Sequence, residues 1–195
     1  MVRVPVDLLK RIERSVEKVH ERMLRTARVL EQASIPFAVV GGNAVAIWVE
    51  SIDEGAGRNT RDVDILLERK DLPRAIEAMH GAGFDNVEVH GVWMFVDRAD
   101  PHPSRAVHVV FAGEKVRPSQ EYPAPGIANI KRGPEGVPAI GLIELLTMKL
   151  QALRNIDRAH IVDMIHVGLI DDAMVAQIPQ DLRPRLEEIL ANPDG

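Results

Sequence analysis

Two aspartates, Asp62 and Asp64, stand one residue apart in an apolar run and are the residues in this chain best suited to chemistry. If this run is a β-strand, both side chains project from one face, because successive strand residues point to opposite faces. Earlier in the chain, Gly41 and Gly42 end another apolar run. A glycine turn lets phosphates approach the backbone, and paired carboxylates bind hard cations. The pattern therefore predicts a cation site beside a phosphate-binding turn.

Each of these motifs also has a purely structural explanation. A strand-to-helix turn often needs glycine for a positive φ, and aspartates also occur at solvated strand ends. A diglycine turn, a helix and an Asp-x-Asp strand in succession are much rarer by chance than either motif alone. Arg61 should face away from the aspartates, so a phosphate contact and a salt bridge at the strand edge are both open. Thr60 could orient the loop or simply favour entry into the strand.

The hydrophobic pattern places these motifs in an α+β fold, a small mixed sheet flanked by helices with a helical C-terminal third. It predicts helices over 6–32, 43–49, 71–81, 141–155, 157–167 and 181–191, and strands over 37–40, 62–67, 87–96 and 106–111. Asp71 is a candidate N-cap of the third helix, and the proline-rich segment 113–138 should be irregular. The apolar residues of the first helix recur at three- and four-residue spacing: Leu8, Leu9, Ile12, Val16, Val19, Met23, Leu24, Ala27 and Leu30.

The chain is expected to divide into three parts. Residues 1–34 form a helix packed on the core, residues 35–138 form the core, and residues 139–195 form a helical region. A formal net charge of −5 argues against a broad surface for nucleic acid, and the absence of cysteine excludes disulfides and thiolate metal sites. Neither a membrane-spanning stretch nor a signal peptide is evident, so we expect a cytoplasmic protein without membrane contact.

The motif Gly41-Gly42-Asn43-Ala44, followed by Thr60-Arg61-Asp62-Val63-Asp64, resembles the signature of the nucleotidyltransferase superfamily, which has the polymerase-β-like fold. The residues of these two motifs are similar to those of bacterial nucleotidyltransferase-like proteins, including the abortive-infection toxin branch. The resemblance covers residues 35–111, and less securely 141–170. It implies Mg²⁺-dependent transfer of a nucleoside monophosphate from a nucleoside triphosphate to a hydroxyl, on RNA, protein or a small molecule.

The resemblance also implies roles for particular residues. Asp62 and Asp64 would bind Mg²⁺ as the catalytic pair. The triphosphate would lie at the glycine turn and the adjoining polar residues, namely Gly41, Gly42, Asn43, Thr60 and Arg61. In toxin-like relatives a lysine on a C-terminal helix and an acid on the next helix complete the site, and Lys149 with Asp157 or Asp163 would match them. Alternatively Lys149 snorkels to solvent, Asp157 is an N-cap, and Asp157 with His160 is an ordinary surface pair.

One departure from the family pattern concerns the third carboxylate. Active members usually carry it on a later strand, where this chain has His108. Neutral imidazole suits Mg²⁺ poorly, and a lone strand histidine is often only structural. Either Asp97 or Glu114 substitutes, or the general base is missing and the chain is a degenerate module that binds a nucleotide or a partner. A third interpretation is a helical adaptor. The apolar face of the first helix could also form a homodimer.

Overall fold

The structure is a computed structural model that describes residues 6–58, 60–133 and 135–193, with side chains from residue 14 onward. The predicted apolar positions Leu8, Leu9 and Ile12 therefore lie outside the described side chains. No helix in these ranges is long and apolar enough to cross a membrane.

Helices and strands alternate in the first 89 residues of the chain, after which strands follow one another and then helices. The helices are α1 (Val6–Gln32), α2 (Gly41–Glu50), α3 (Leu72–Gly81), α4 (Leu142–Ala152), α5 (Asn155–His166), α6 (Asp172–Val175) and α7 (Arg183–Ala191). The strands are β1 (Phe37–Val40), β2 (Val63–Leu67), β3 (Phe84–Val89), β4 (Val92–Asp97), β5 (Val107–Phe111), β6 (Lys131–Arg132) and β7 (Pro138–Ala139). Short 3₁₀ segments precede α3 and β5.

Within the described ranges, seven strands form one mixed sheet in the order β3-β4-β5-β2-β1-β7-β6. β2 pairs antiparallel with β1 and parallel with β5, and β7 pairs parallel with β1. β1 is buried along its whole length because it lies inside the sheet. The α+β fold with a mixed sheet flanked by helices is therefore confirmed.

Helix α1 packs on the core through one face, as the spacing of its apolar residues predicts. Val19, Met23, Ala27 and Leu30 are buried at spacings of three and four residues. The same helix buries Arg22, which is 3% exposed and pairs with Asp100 at 3.2 Å. Burial of a charge is costly unless it is paired, so this ion pair helps to fix where α1 lies on the sheet.

The predicted single strand over 87–96 is wrong, because that segment is part of a β-hairpin. β3 and β4 pair antiparallel around the two-residue turn His90-Gly91, whose φ angles are 51° and 81°. Two successive positive φ angles are typical of the tight turns that join twisted antiparallel strands. Apolar residues on both sides of the turn make the two strands resemble one in the sequence.

The prediction that 113–138 is wholly irregular is also wrong at its end. Lys131–Arg132 forms β6, and Pro138 begins β7, which pairs with β1 at Ala139. A proline is accepted there because it stands at the first position of a two-residue strand.

Several predicted helix and strand boundaries move by a few residues. Helix α2 begins at Gly41 and not at Asn43, β2 begins at Val63 and not at Asp62, and α4 ends at Ala152. Asp71 occupies the N-cap position of α3 but makes no capping hydrogen bond with its side chain. The sequence pattern does not predict the short helix α6, which has only four residues.

Candidate functional site

The centre of the site is set by the pairing of β2 with β5. Asp64 lies directly opposite His108 in this parallel pair, and opposite Val40 in the pairing with β1. His108 Nδ1 is 3.6 Å from Oδ1 of Asp64 and 3.6 Å from Oδ2 of Asp62. The two carboxylates therefore converge on one imidazole, although Asp62 lies just before the strand.

Asp62 is held in place through its backbone. Its carbonyl oxygen accepts a hydrogen bond from Asn43 Nδ2 at 2.7 Å and another from Thr60 Oγ1 at 3.1 Å. Asn43 is in the first turn of α2, so the helix that follows the diglycine turn also fixes the loop before β2. Thr60 orients this loop through its hydroxyl, one of the two roles that its sequence position left open.

Gly41 allows the turn and the strand to approach each other closely. Its φ is +66°, and a Cβ at this position would overlap the carboxylate of Asp64. A side chain here would be strained and would also displace one of the two acids. The first glycine of the pair is thus required both by the backbone conformation and by the position of Asp64.

The charges of this centre are mutually dependent. The carboxylate of Asp62, followed by that of Asp64, raises the pKa of His108 to about 9 despite its partial burial. Conversely, interaction with His108 lowers the pKa of Asp62. At neutral pH His108 is therefore a cation between two anions.

A second cluster comes from the C-terminal helices. Lys149 on α4 donates to Asp157 Oδ1 at 3.0 Å, and its Nζ lies 3.0 Å from Nδ1 of His160. Lys149, Asp157 and His160 are all buried, with 5%, 1% and 4% exposure. Burial, followed by the charge of Lys149, lowers the pKa of His160 to about 4. Lys149 therefore does not snorkel, and Asp157 with His160 is not a surface pair.

Asp157 also holds Arg154 at the mouth of the cleft. Its carboxylate accepts from Nε of Arg154 at 2.7 Å, from Nη2 at 3.1 Å and from the Arg154 backbone N–H at 3.2 Å. Asp157 is thus the third residue of α5 and caps its start from inside the helix, so the N-cap interpretation is wrong. Burial alone would raise the pKa of Asp157, but Arg154 and Lys149 outweigh it and lower that pKa.

These two clusters face one cleft, with a volume of about 850 Å³. Helix α5 forms the side of the cleft next to the Gly41-Gly42 turn, where His160 lies against Gly42. The cleft is lined by residues of both clusters and of the glycine turn, among them Gly41, Gly42, Thr60, Arg61, Asp62, Asp64, His108, Lys149, Arg154, Asp157 and His160. Predicted residues that are far apart in sequence are thus brought together around one space.

Not every residue considered from the sequence reaches this cleft. Asn43 faces a separate cavity of about 340 Å³ between α1 and α2, and Asp163 forms an ion pair with Arg58. Asp97 pairs with Arg25 of α1. Glu114 lines the cleft, but Arg69 binds both of its oxygens, at 2.5 and 2.6 Å.

The third-acid position is therefore not filled by either expected substitute. Among the described residues, the only group of three potential metal ligands is Asp62, Asp64 and His108, whose donor atoms lie within 4.8 Å of one another. Arg61 also differs from expectation, because it lines the cleft and makes no ion pair within the described part of the chain.

The donor set fits a divalent cation. Two carboxylates supply the oxygen ligands that hard cations take, and both are partly open to the cleft. Sequence reasoning found both acids from their spacing, and it noted His108 without its partners. The sequence does not place Arg154 or His160 at the site, because the bend between α4 and α5 that brings them there has no clear sequence signal.

Comparison with protein-family models and with curated proteins finds no match. Comparison with solved structures does find similar folds. A nucleotidyltransferase-like protein from Paracoccidioides brasiliensis superposes with a TM-score of 0.59 at 15% identity, covering 92% of this chain and 91% of that one.

The antibiotic-resistance factor ANT(2'')-Ia is a second structural neighbour. Its complex with adenylyl-2''-tobramycin superposes with a TM-score of 0.54 at 12% identity, covering 88% of this chain and 98% of that one. Its solution structure gives the same TM-score at 11% identity. Likeness at such low identity establishes the fold alone, and the chain accordingly has the nucleotidyltransferase-like fold.

Proposed function

We propose that this protein is a nucleotidyltransferase, which moves a nucleoside monophosphate from a nucleoside triphosphate to a hydroxyl acceptor with the help of a divalent cation. One observation carries the proposal. Asp62 and Asp64 converge in a large cleft beside the Gly41-Gly42 turn, and Lys149 and Arg154 line the same cleft.

Asp62 and Asp64 are the proposed ligands of the cation, which the family resemblance gives as Mg²⁺. When bound, the ion neutralises charge on the phosphates and so favours attack by the acceptor. The backbone around Asp62 is held by Asn43 and Thr60 before anything binds. The protein therefore supplies both carboxylates in a prearranged position.

The triphosphate is proposed to lie along the Gly41-Gly42 turn. Helix α2 begins there, and the N–H groups of its first turn with the helix dipole favour an anion. Arg61 is an available cation at the rim of the cleft, and Arg154 is positioned by Asp157. Lys149 acts mainly on Asp157 in this arrangement, because it is buried and already paired. Lys149 is thus proposed as a positioning residue, which sets the charge and position of Asp157 and His160 on α5.

The proposed acceptor is a hydroxyl on a small molecule, RNA or protein. The neighbour ANT(2'')-Ia is described with an adenylylated aminoglycoside, a small-molecule product. The family resemblance adds RNA and protein as acceptor classes. A cleft of about 850 Å³ accommodates a nucleotide together with a small acceptor or one end of a larger one.

The test is a labelling assay with each of four α-labelled nucleoside triphosphates, with Mg²⁺ or Mn²⁺. Total RNA, the protein itself and a panel of aminoglycosides serve as acceptors. Cation-dependent transfer with release of pyrophosphate is expected, and Asp64→Asn should reduce it at least about 100-fold. Transfer that is unchanged in Asp64→Asn would overturn the assignment.

A degenerate binding module is the second candidate, and His108 is the observation that favours it. The imidazole already forms ion pairs with both carboxylates where active relatives carry an acid. This candidate predicts that calorimetry detects nucleotide binding while no acceptor becomes labelled. A helical adaptor would show no stabilisation by nucleotide or cation.

A further inference from the structure

His108 is the third potential metal ligand beside Asp62 and Asp64, and its chemistry affects which cation the site binds. We propose that His108 is a ligand of the ion held by these two aspartates, and that the site therefore prefers a first-row transition ion such as Mn²⁺ over Mg²⁺. This inference rests on the proposed function only in taking the two aspartates as cation ligands.

The position of His108 is the first argument. One ring nitrogen, Nδ1, is 3.6 Å from an oxygen of each aspartate, so all three donors face one point. Its strand is paired on both sides, with Asp64 opposite His108 on β2 and Met94 opposite it on β4. The backbone of His108 is therefore fixed. A small side-chain movement brings the imidazole into the ligand set, and Nδ1 releases its proton to solvent as it takes up the ion.

The lack of another oxygen ligand is the second argument. Glu114 is bound by Arg69 through both oxygens, Asp97 is bound by Arg25, and Asp157 is enclosed by Lys149 and Arg154. Among the described residues, no further acid joins Asp62 and Asp64 in a group of three ligands. A cation that accepts only oxygen would have two protein ligands here, whereas one that also accepts nitrogen would have three.

The chemistry of the donors is the third argument. Carboxylates suit Mg²⁺ and Mn²⁺ alike, whereas imidazole suits transition ions and contributes little to binding Mg²⁺. Replacing the family's third carboxylate by histidine removes a negative charge, which weakens binding of a hard cation most. Mn²⁺ gains a ligand that Mg²⁺ uses poorly, so His108 shifts the preference between them.

The first experiment detects the ligand directly, with Mn²⁺ alone and no nucleotide. Pulsed electron paramagnetic resonance should show modulation of bound Mn²⁺ by the ¹⁴N of an imidazole. This signal should disappear in His108→Gln and remain in His80→Gln, a control at an exposed histidine on α3 outside the cleft. A wild-type spectrum without ¹⁴N modulation, or a signal that persists in His108→Gln, would overturn the proposal.

The second experiment measures preference and also covers the case in which His108→Gln folds poorly. Competition between Mn²⁺ and Mg²⁺ should favour Mn²⁺ in the wild type, and His108→Asp should lower the Mn²⁺-to-Mg²⁺ affinity ratio at least about tenfold. An equal ratio in the two proteins would contradict the inference. Nucleotide transfer with no ¹⁴N signal would refute the role of His108 alone, and a ¹⁴N signal with no transfer would refute the enzyme alone.

Discussion

Nζ of Lys149 lies 3.0 Å from Nδ1 of His160, and because a lysine ammonium can only donate, this ring nitrogen accepts. His160 is therefore neutral, with its proton on Nε2. Its burial and the neighbouring positive charge both oppose a second proton, and they lower its pKa to about 4. The stability of the fold therefore depends on the protonation state of His160.

The first prediction concerns acid. Since the pKa of His160 is lower in the folded protein than its ordinary value of 6.5, the unfolded chain takes up the proton first. The stabilisation from a neutral His160 is complete above pH 6.5 and is lost as the pH falls toward 4. Urea denaturation should show unfolding free energy decreasing over this range, and less steeply in His160→Asn. Equal slopes in the two proteins would contradict it.

The second prediction concerns alkali and has the opposite sign. The pKa of His108 is raised to about 9 in the folded protein, so its protonated form stabilises the fold. That stabilisation is complete below pH 6.5 and disappears as the pH rises through 9. Metal-free protein in chelator should lose stability between these values. Over this pH range His108→Gln should lose less stability than the wild type, whereas His80→Gln should lose as much. Any other ranking would contradict the ion pairs of His108 with Asp62 and Asp64.

The third prediction separates backbone strain from displacement of Asp64. Gly41→Ala introduces a side chain at positive φ and against the Asp64 carboxylate, whereas Gly168→Ala meets the same kind of φ, +74°, with open space around it. Both should cost about 1–2 kcal/mol of strain. Only Gly41→Ala should also reduce cation affinity, measured by Mn²⁺ titration. Comparable affinity in both variants would show that Gly41 does not shape the site.

The fourth prediction tests the buried lysine. Lys149→Met leaves Asp157 buried with only Arg154 as a charged partner, and breaking a buried pair in this way costs about 3 kcal/mol. The double variant Lys149→Met with Asp157→Leu removes both charges and should recover part of this loss. Denaturant titration measures both. A single variant as stable as the wild type would contradict the pairing.

The fifth prediction concerns Asn43 and Thr60, whose side chains hold Asp62 by its backbone carbonyl. Asn43→Ala removes one of two hydrogen bonds to the Asp62 carbonyl, and Thr60→Val removes the other. Each should weaken Mn²⁺ binding about tenfold, as loss of a group that orients metal ligands generally does. Hydrogen exchange should become faster around residue 62 in both variants. Wild-type affinity in the double variant would show that the loop needs no support.

Much of the fold followed from local patterns in the chain. The apolar spacing of α1, the extended run 37–40 and the diglycine turn are all short-range signals, and the structure agrees with them. The hairpin around His90-Gly91 was missed because apolar residues continue on both sides of its turn. Strand β7 was missed because two residues, one of them proline, carry no periodicity, and their pairing depends on β1, a hundred residues earlier.

The site was predictable only in part for the same reason. Asp62 and Asp64 lie close in sequence, so strand geometry predicts their common direction, although Asp62 lies just before β2 and is held there by Asn43 and Thr60. The contact of Asp64 with His108 depends on the register of β2 with β5, which no local pattern specifies. The enclosure of Asp157 by Lys149 and Arg154 likewise depends on the left-handed conformation of Leu153, which turns α4 into α5.

Strand β7 has a consequence for any attempt to divide this protein. Ile140, just beyond it, donates its N–H to Val39 beside the glycine turn, and its carbonyl accepts from Trp48 of α2. The segment that leads into α4, and so to Lys149 and Arg154, is thereby bonded to β1, the strand that leads into the Gly41-Gly42 turn on the other side of the cleft. A chain cut after residue 138 should therefore lose more than residues 139–195, because the half that carries Asp62 and Asp64 would keep these ligands but lose the support that Ile140 gives to β1 and α2.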